Sequence, residues 1–147
     1  MHLVLRFSVA QPPAVVIAGF TQELFVALAP PFPKFHLIRY DGNRPGDTVI
    51  IELQVGLKRW RWTSLITNNG VLPDGTHYFV DEGQTLPAPL RQWRHRHLLQ
   101  PALGGGTVIV EDIYFSTGRR WLDWLIRPAM WAQFKLRGPV YRRFFGA

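Results

Sequence analysis

Apolar residues recur at every second position over His2–Val9. Leu3, Leu5, Phe7 and Val9 share one side, and this period of two predicts a β-strand. Pro12 and Pro13 end it. In Val15–Leu28 the spacing changes: Phe20, Leu24 and Leu28 fall four apart, which predicts a buried helical stripe that Gly19 or Thr21 divides into two short helices. Pro30, Pro31 and Pro33 stop helix formation. The period of two then returns. Phe35–Tyr40 reads as a strand, followed by a turn over 41–46. Thr48–Val55 places Val49, Ile51, Leu53 and Val55 on one face. Lys58–Thr67 sets Trp60, Trp62, Ser64 and Ile66 against Arg59, Arg61, Thr63 and Leu65. Asn69-Gly70 and Asp74-Gly75 mark turns. His77–Glu82, Gln92–Leu99 and Val108–Ser116 complete six consecutive strands, and their short connections require antiparallel pairing.

The last segment, Arg119–Arg137, is helical in pattern. Leu122, Leu125, Ile126, Ala129, Ala132 and Leu136 share one face, with Trp124, Arg127, Trp131 and Lys135 near the other. Pro128 predicts a kink or a restart, Gly138-Pro139 a stop, and Val140–Phe145 a short basic, aromatic tail. The expected class is α+β: a seven-stranded antiparallel sheet wrapped around a long C-terminal helix, with two short helices after the first strand. The helix covers the apolar face of the sheet, and a curved sheet gripping a helix leaves a concave apolar pocket between them.

Composition narrows this picture. The chain has 147 residues, the size of one domain spanning 1–147, and 47% are hydrophobic, which argues against disorder. Cysteine is absent, so disulfides, thiolate metal sites and a Cys nucleophile are excluded. No apolar run approaches the roughly 20 residues that span a bilayer, and a soluble, cytoplasmic protein is expected. The formal charge of +7 suggests a polyanion, but it is unevenly spread. Residues 1–118 hold 10 basic and 9 acidic side chains, net +1; residues 119–147 hold 7 and 1, net +6. The basic excess therefore describes the C-terminal segment alone.

Several short pieces occur in a telling order: Pro31-Phe32-Pro33, Arg39-Tyr40-Asp41-Gly42 with Gly46, Phe79-Val80-Asp81-Glu82, Trp93-Arg94-His95-Arg96-His97, Asp112-Ile113-Tyr114, then Pro128, Phe134 and Arg137. Together they resemble the SRPBCC helix-grip superfamily, which includes START lipid-transfer domains, the birch-pollen allergen family and polyketide cyclases. Within it they resemble the bacterial ligand-binding SRPBCC or cyclase/dehydrase-like branch. The resemblance implies a cavity for a small hydrophobic or amphipathic molecule. It implies no single reaction, because the superfamily holds carriers, receptors and enzymes.

Phasing selects the pocket candidates. Trp93, His95 and His97 share one strand face, with Arg94 and Arg96 on the solvent side. Phe79 and Asp81 share another face. Asp112 is in phase with Val108, Val110 and Tyr114, although Ile109, Ile113 and Phe115 compete for the inward side. Ligand-binding candidates are Trp60, Trp62, Phe79, Trp93, His95, His97 and Tyr114, with Leu125, Ala129 and Ala132 from the helix. Three roles compete for the polar members: satisfied core polars, anchors for the polar end of a ligand, or His95 or His97 as a general base oriented by Asp81 or Asp112. A His-x-His pair with a carboxylate also suits a metal, but the sequence places no further ligand beyond a distant His77, and no metal is expected. No cofactor is implied, since Gly104–Gly106 lacks phosphate-loop spacing and leads into a strand. Trp124, Arg127, Trp131 and Lys135 admit two readings, a solvated face whose basic bias suits a helix C-terminus, or an interfacial composition for weak contact with anionic membranes; no nucleic-acid partner is expected.

Overall fold

The seven alternating segments form one antiparallel sheet. In the computed structural model, which describes residues 1–147, its strands are β1 (His2–Val9), β2 (Lys34–Tyr40), β3 (Thr48–Val55), β4 (Lys58–Val71), β5 (His77–Thr85), β6 (Gln92–Pro101) and β7 (Thr107–Ser116). Their order across the sheet is β1-β7-β6-β5-β4-β3-β2, so the first strand pairs with the last and the two edges are β1 and β2. Leu3, Leu5, Phe7 and Val9 are all buried, as the period of two requires. The strands run longer than their patterns predict. β4 passes straight through Asn69-Gly70, which pair with Phe79 and Tyr78, and the turn sits instead at Leu72–Thr76. Two register shifts, at Thr63/Ser64 and Ile66/Asn68, mark bulges in the β4–β5 pairing, a device that bends a strand and increases twist.

Between β1 and β2 lie two short helices, α1 (Pro13–Ala18) and α2 (Gln22–Ala27), split where the sequence suggests. Thr21 caps α2, its hydroxyl accepting from the Leu24 amide. Gly19 is needed for a close approach. A Cβ there would lie 2.4 Å from the Phe145 ring, so a larger residue would push the far end of the chain off the core.

The C-terminal segment departs from the expected stop and tail. α3 (Arg120–Lys135) continues through Pro128 without restarting. Pro128 is exposed, so the carbonyl it leaves unpaired can be hydrated. Gly138-Pro139 does not stop the helix either. The chain turns at Leu136 and resumes as α4 (Arg137–Phe145), with Pro139 in the first turn, where a missing N–H is tolerated. The supposed tail is core: Tyr141 and Phe145 are buried against Phe7 and Phe20. In the first turn of α3 the Asp123 carboxylate accepts from both the amide and the hydroxyl of Thr117 at 2.7 Å. Helices α3 and α4 lean on β1, and α3 also on β7, leaving the inner face of β2–β6 only partly covered.

Candidate functional site

That uncovered face is a cavity of about 210 Å³. α2, β3, β4 and α3 supply its sides, with Phe25, Ile51, Trp62 and Met130 among the apolar groups. β5 and β6 supply Phe79, Asp81, Trp93, His95 and His97. An apolar enclosure with one polar cluster is the usual form of a small-molecule site.

Strand register builds the cluster. Asp81 lies opposite His95 across β5–β6, and His97 lies opposite Glu111 across β6–β7. Residues of one face alternate, so the two carboxylates flank the two imidazoles. His95 Nε2 donates to Glu111 Oε2 at 2.5 Å, and His97 Nε2 donates to Asp81 Oδ2 at 3.2 Å. The imidazole centroids are 3.8 Å apart, and His97 stacks on Phe79 at 4.1 Å. Trp93 Nε1 donates to Asp81 Oδ1 at 3.1 Å. Behind the histidines, Glu111 is fully buried. Its Oε1 accepts from Arg137 Nη1 at 3.0 Å and from the Tyr141 hydroxyl. Arg137 lies over the Phe134 ring, 4.2 Å from its centroid.

Charge inside this low-dielectric pocket shifts the titrating groups. Burial pushes Glu111 upward, but Arg137, His95 and His97 outweigh it and hold the carboxyl well below the ordinary glutamate range. Asp81 follows the same logic. Burial raises it, the hydrogen bond from His97 and the imidazole charges lower it more, and the net shift is down. Burial, reinforced by the neighbouring His95, lowers His97 and favours its neutral form. Tyr141 is pushed well up by burial and by Glu111.

The fold gathers Trp62, Phe79, Asp81, Trp93, His95 and His97, six of the residues predicted from phasing. Others fall elsewhere. Asp112 is on the outer face, bound to Arg96 by contacts of 2.9 and 2.8 Å, and Tyr114 lies there too, against His2. β7 is apolar on both sides, so its phase was ambiguous, and Ile109, Glu111, Ile113 and Phe115 take the inside. Trp60 shares Trp62's face but lies beyond the cavity lining. Leu125, Ala129 and Ala132 point to solvent, because α3 turns Ile126, Met130 and Phe134 inward instead. Glu111 and Tyr141 were missed. The available signal was the Glu111-Asp112 pair itself, since consecutive strand residues must face opposite sides.

No family model matches the chain, and no curated protein matches it. Solved structures do. Zhui aromatase/cyclase from Streptomyces sp. R1128 is 15% identical, with a TM-score of 0.57, over 97% of this chain and 94% of that one. A protein from Nitrosomonas europaea is 18% identical, with a TM-score of 0.64, over 97% and 94%. Truncated norcoclaurine synthase from Thalictrum flavum is 10% identical, with a TM-score of 0.63, over 97% and 91%. At such identities what is shared is architecture: the chain has the helix-grip fold.

Proposed function

We propose that the cavity binds a small amphipathic molecule. Its apolar part lies against Phe25, Ile51, Trp62 and Phe79, and its polar end meets Asp81, His95 and His97. The observation that carries this reading is an apolar enclosure converging on a single buried polar cluster. Native mass spectrometry of protein purified from its source should find a co-purifying small molecule. Filling the cavity gives a sharper test. Ile51→Trp should weaken binding of anilinonaphthalene sulfonate by about tenfold or more while circular dichroism stays unchanged. Unaltered probe affinity would place binding elsewhere.

A second reading, acid–base chemistry of cyclase or dehydratase type, is favoured by the lowered pKa of His97. A neutral imidazole accepts a proton at neutral pH, and Asp81 is placed to orient it. An aromatase/cyclase and a synthase among the structural neighbours are consistent with it. Turnover of a poly-β-carbonyl thioester that is lost in His97→Gln, with probe binding intact, supports catalysis; no turnover by the natural chain leaves binding alone.

The outer face of α3 supports a further contact. Trp121, Trp124, Leu125 and Leu136 are each more than half exposed, and Trp131 nearly so. Arg119, Arg120 and Lys135 flank them, with Lys135 over the Trp131 ring. No helix is long and apolar enough to cross a membrane, but this face suits the interface of an anionic bilayer. The chain is expected to co-sediment with phosphatidylserine vesicles and not with phosphatidylcholine vesicles. Trp124→Ala with Trp131→Ala should abolish it. Equal binding to both vesicles, or no effect of the double variant, overturns this contact.

A further inference from the structure

We propose that Asp81, His95 and His97 hold a divalent first-row metal ion such as Zn²⁺, with an open coordination position facing the cavity. The proposal stands on ligand geometry and holds whichever organic molecule the cavity takes.

Three atoms converge: Asp81 Oδ2, His95 Nδ1 and His97 Nε2. The carboxylate oxygen lies 3.2 Å from the His97 nitrogen and 3.6 Å from the His95 nitrogen, and the three residues can each bring one ligand atom within 4.8 Å of the others. Bonds of about 2.0–2.2 Å in a tetrahedral site put ligand atoms about 3.3 Å apart. The two spacings to the carboxylate bracket that value, and 3.6 Å is too long for a hydrogen bond.

Proton placement points the same way. His95 gives its Nε2 proton to Glu111, so in the neutral ring Nδ1 carries a lone pair. That lone pair faces Asp81 Oδ2, also an acceptor. His97 poses the complementary problem. Its Nδ1 is buried without a hydrogen-bond partner, 3.4 Å from Glu111 Oε2. Moving the His97 proton to Nδ1 places it on the Glu111 side of the ring, 3.4 Å from Oε2, and frees Nε2. His95 Nδ1 and His97 Nε2 then both offer lone pairs on the Asp81 side. A cation at the convergence satisfies all three atoms at once.

The surroundings have the form metal sites need. Metal-bound histidines direct their second nitrogen at a carboxylate; here Glu111 accepts from His95 and lies 3.4 Å from the second nitrogen of His97. Glu111 is itself fixed by Arg137 and Tyr141, and the remaining oxygen of Asp81 is fixed by Trp93. Every ligand comes from β5 or β6, so the set is held by paired strands rather than loops. Nitrogen and oxygen donors without sulfur suit Zn²⁺ and its spectroscopic substitute Co²⁺. The ionised groups Asp81, Glu111 and Arg137 sum to one negative charge with neutral histidines. A divalent ion reverses that sign and leaves the open position suited to an anionic oxygen.

The test uses untagged full-length protein stripped with EDTA and titrated with Co²⁺. One ion per chain is expected, with visible ligand-field bands of tetrahedral intensity and X-ray absorption showing two imidazole ligands. His97→Gln and Asp81→Asn should each weaken binding by about 100-fold or more. His77→Ala, outside the cluster, should bind as the natural chain does. If a variant fails to fold, the X-ray absorption of the natural chain still decides. No bands and no stoichiometric cobalt uptake would overturn the proposal. Binding that survives both ligand variants would overturn it equally.

Discussion

Replacing Glu111 with alanine is expected to lower folding stability by about 3–5 kcal/mol, the usual result of breaking a buried ion pair. The loss comes from the partners left behind. The Arg137 guanidinium, the Tyr141 hydroxyl and the His95 N–H all point at the vacated space; Tyr141 and His95 are buried and Arg137 is largely covered. Urea denaturation measures it. The paired replacement Glu111→Met with Arg137→Met should lose less than Glu111→Ala alone, because it removes both charges together. Equal losses would mean that the pair is not coupled. The same carboxylate sets an acid limit. Its folded pKa lies well below the ordinary glutamate value of about 4.3, so its contribution is complete above that value. It fades as pH falls toward the folded pKa. Asp81, also lowered, acts in the same direction. The lowered pKa of His97 adds to it, since below about 6.5 the unfolded chain binds a proton that the folded site resists. Stability should therefore decline from neutrality into acid, and Glu111→Gln should flatten the most acidic part of that decline.

Phe145→Ala should lose a similar amount, about 3–5 kcal/mol, as large-to-small changes in packed aromatic cores do. The ring is 3% exposed, stacks near Phe20 at 6.1 Å and fills the space left by Gly19. The backbone holds it as well, with the Gln11 amide donating to the Phe145 carbonyl at 3.1 Å. For a chain of this size the melting temperature should drop by roughly 10–20 °C. Arg143→Ala, exposed on the same helix, should stay within about 0.5 kcal/mol. If the two variants melt together, α4 is not part of the core.

The sheet was legible because its strands alternate. Leu3 to Val9 and Trp93 to His97 show their faces without help, and Arg94 and Arg96 mark the solvent side. Where the pattern failed, it failed at buried charge. Hydropathy sends every charged residue outward, so Arg137 gave no sign that its helix face pointed in. Without Arg137, the predicted helix was phased on Leu122, Leu125, Ile126, Ala129, Ala132 and Leu136, of which only Leu122 and Ile126 are partly buried. On β7, where both faces are apolar, the candidate was Asp112, and Glu111 went unread. These errors belong to the two halves of one ion pair. Each charge is buried because the other is there, which a reading one segment at a time cannot detect. The unexpected helix after Leu136 has a related cause. Gly138-Pro139 reads as an end only until Pro139 is placed in a first turn.

The pairing of the first strand with the last also has a consequence in time. The amino group of Met1 donates to the Phe115 carbonyl, 114 positions away, and β1 has no other strand beside it. A growing chain therefore makes β1 early and cannot seat it until β7 has been made. Meander pairs such as β3–β4 close locally and can form first. Such long-range closure slows folding, and it leaves the Leu3–Val9 stripe open to wrong partners during synthesis.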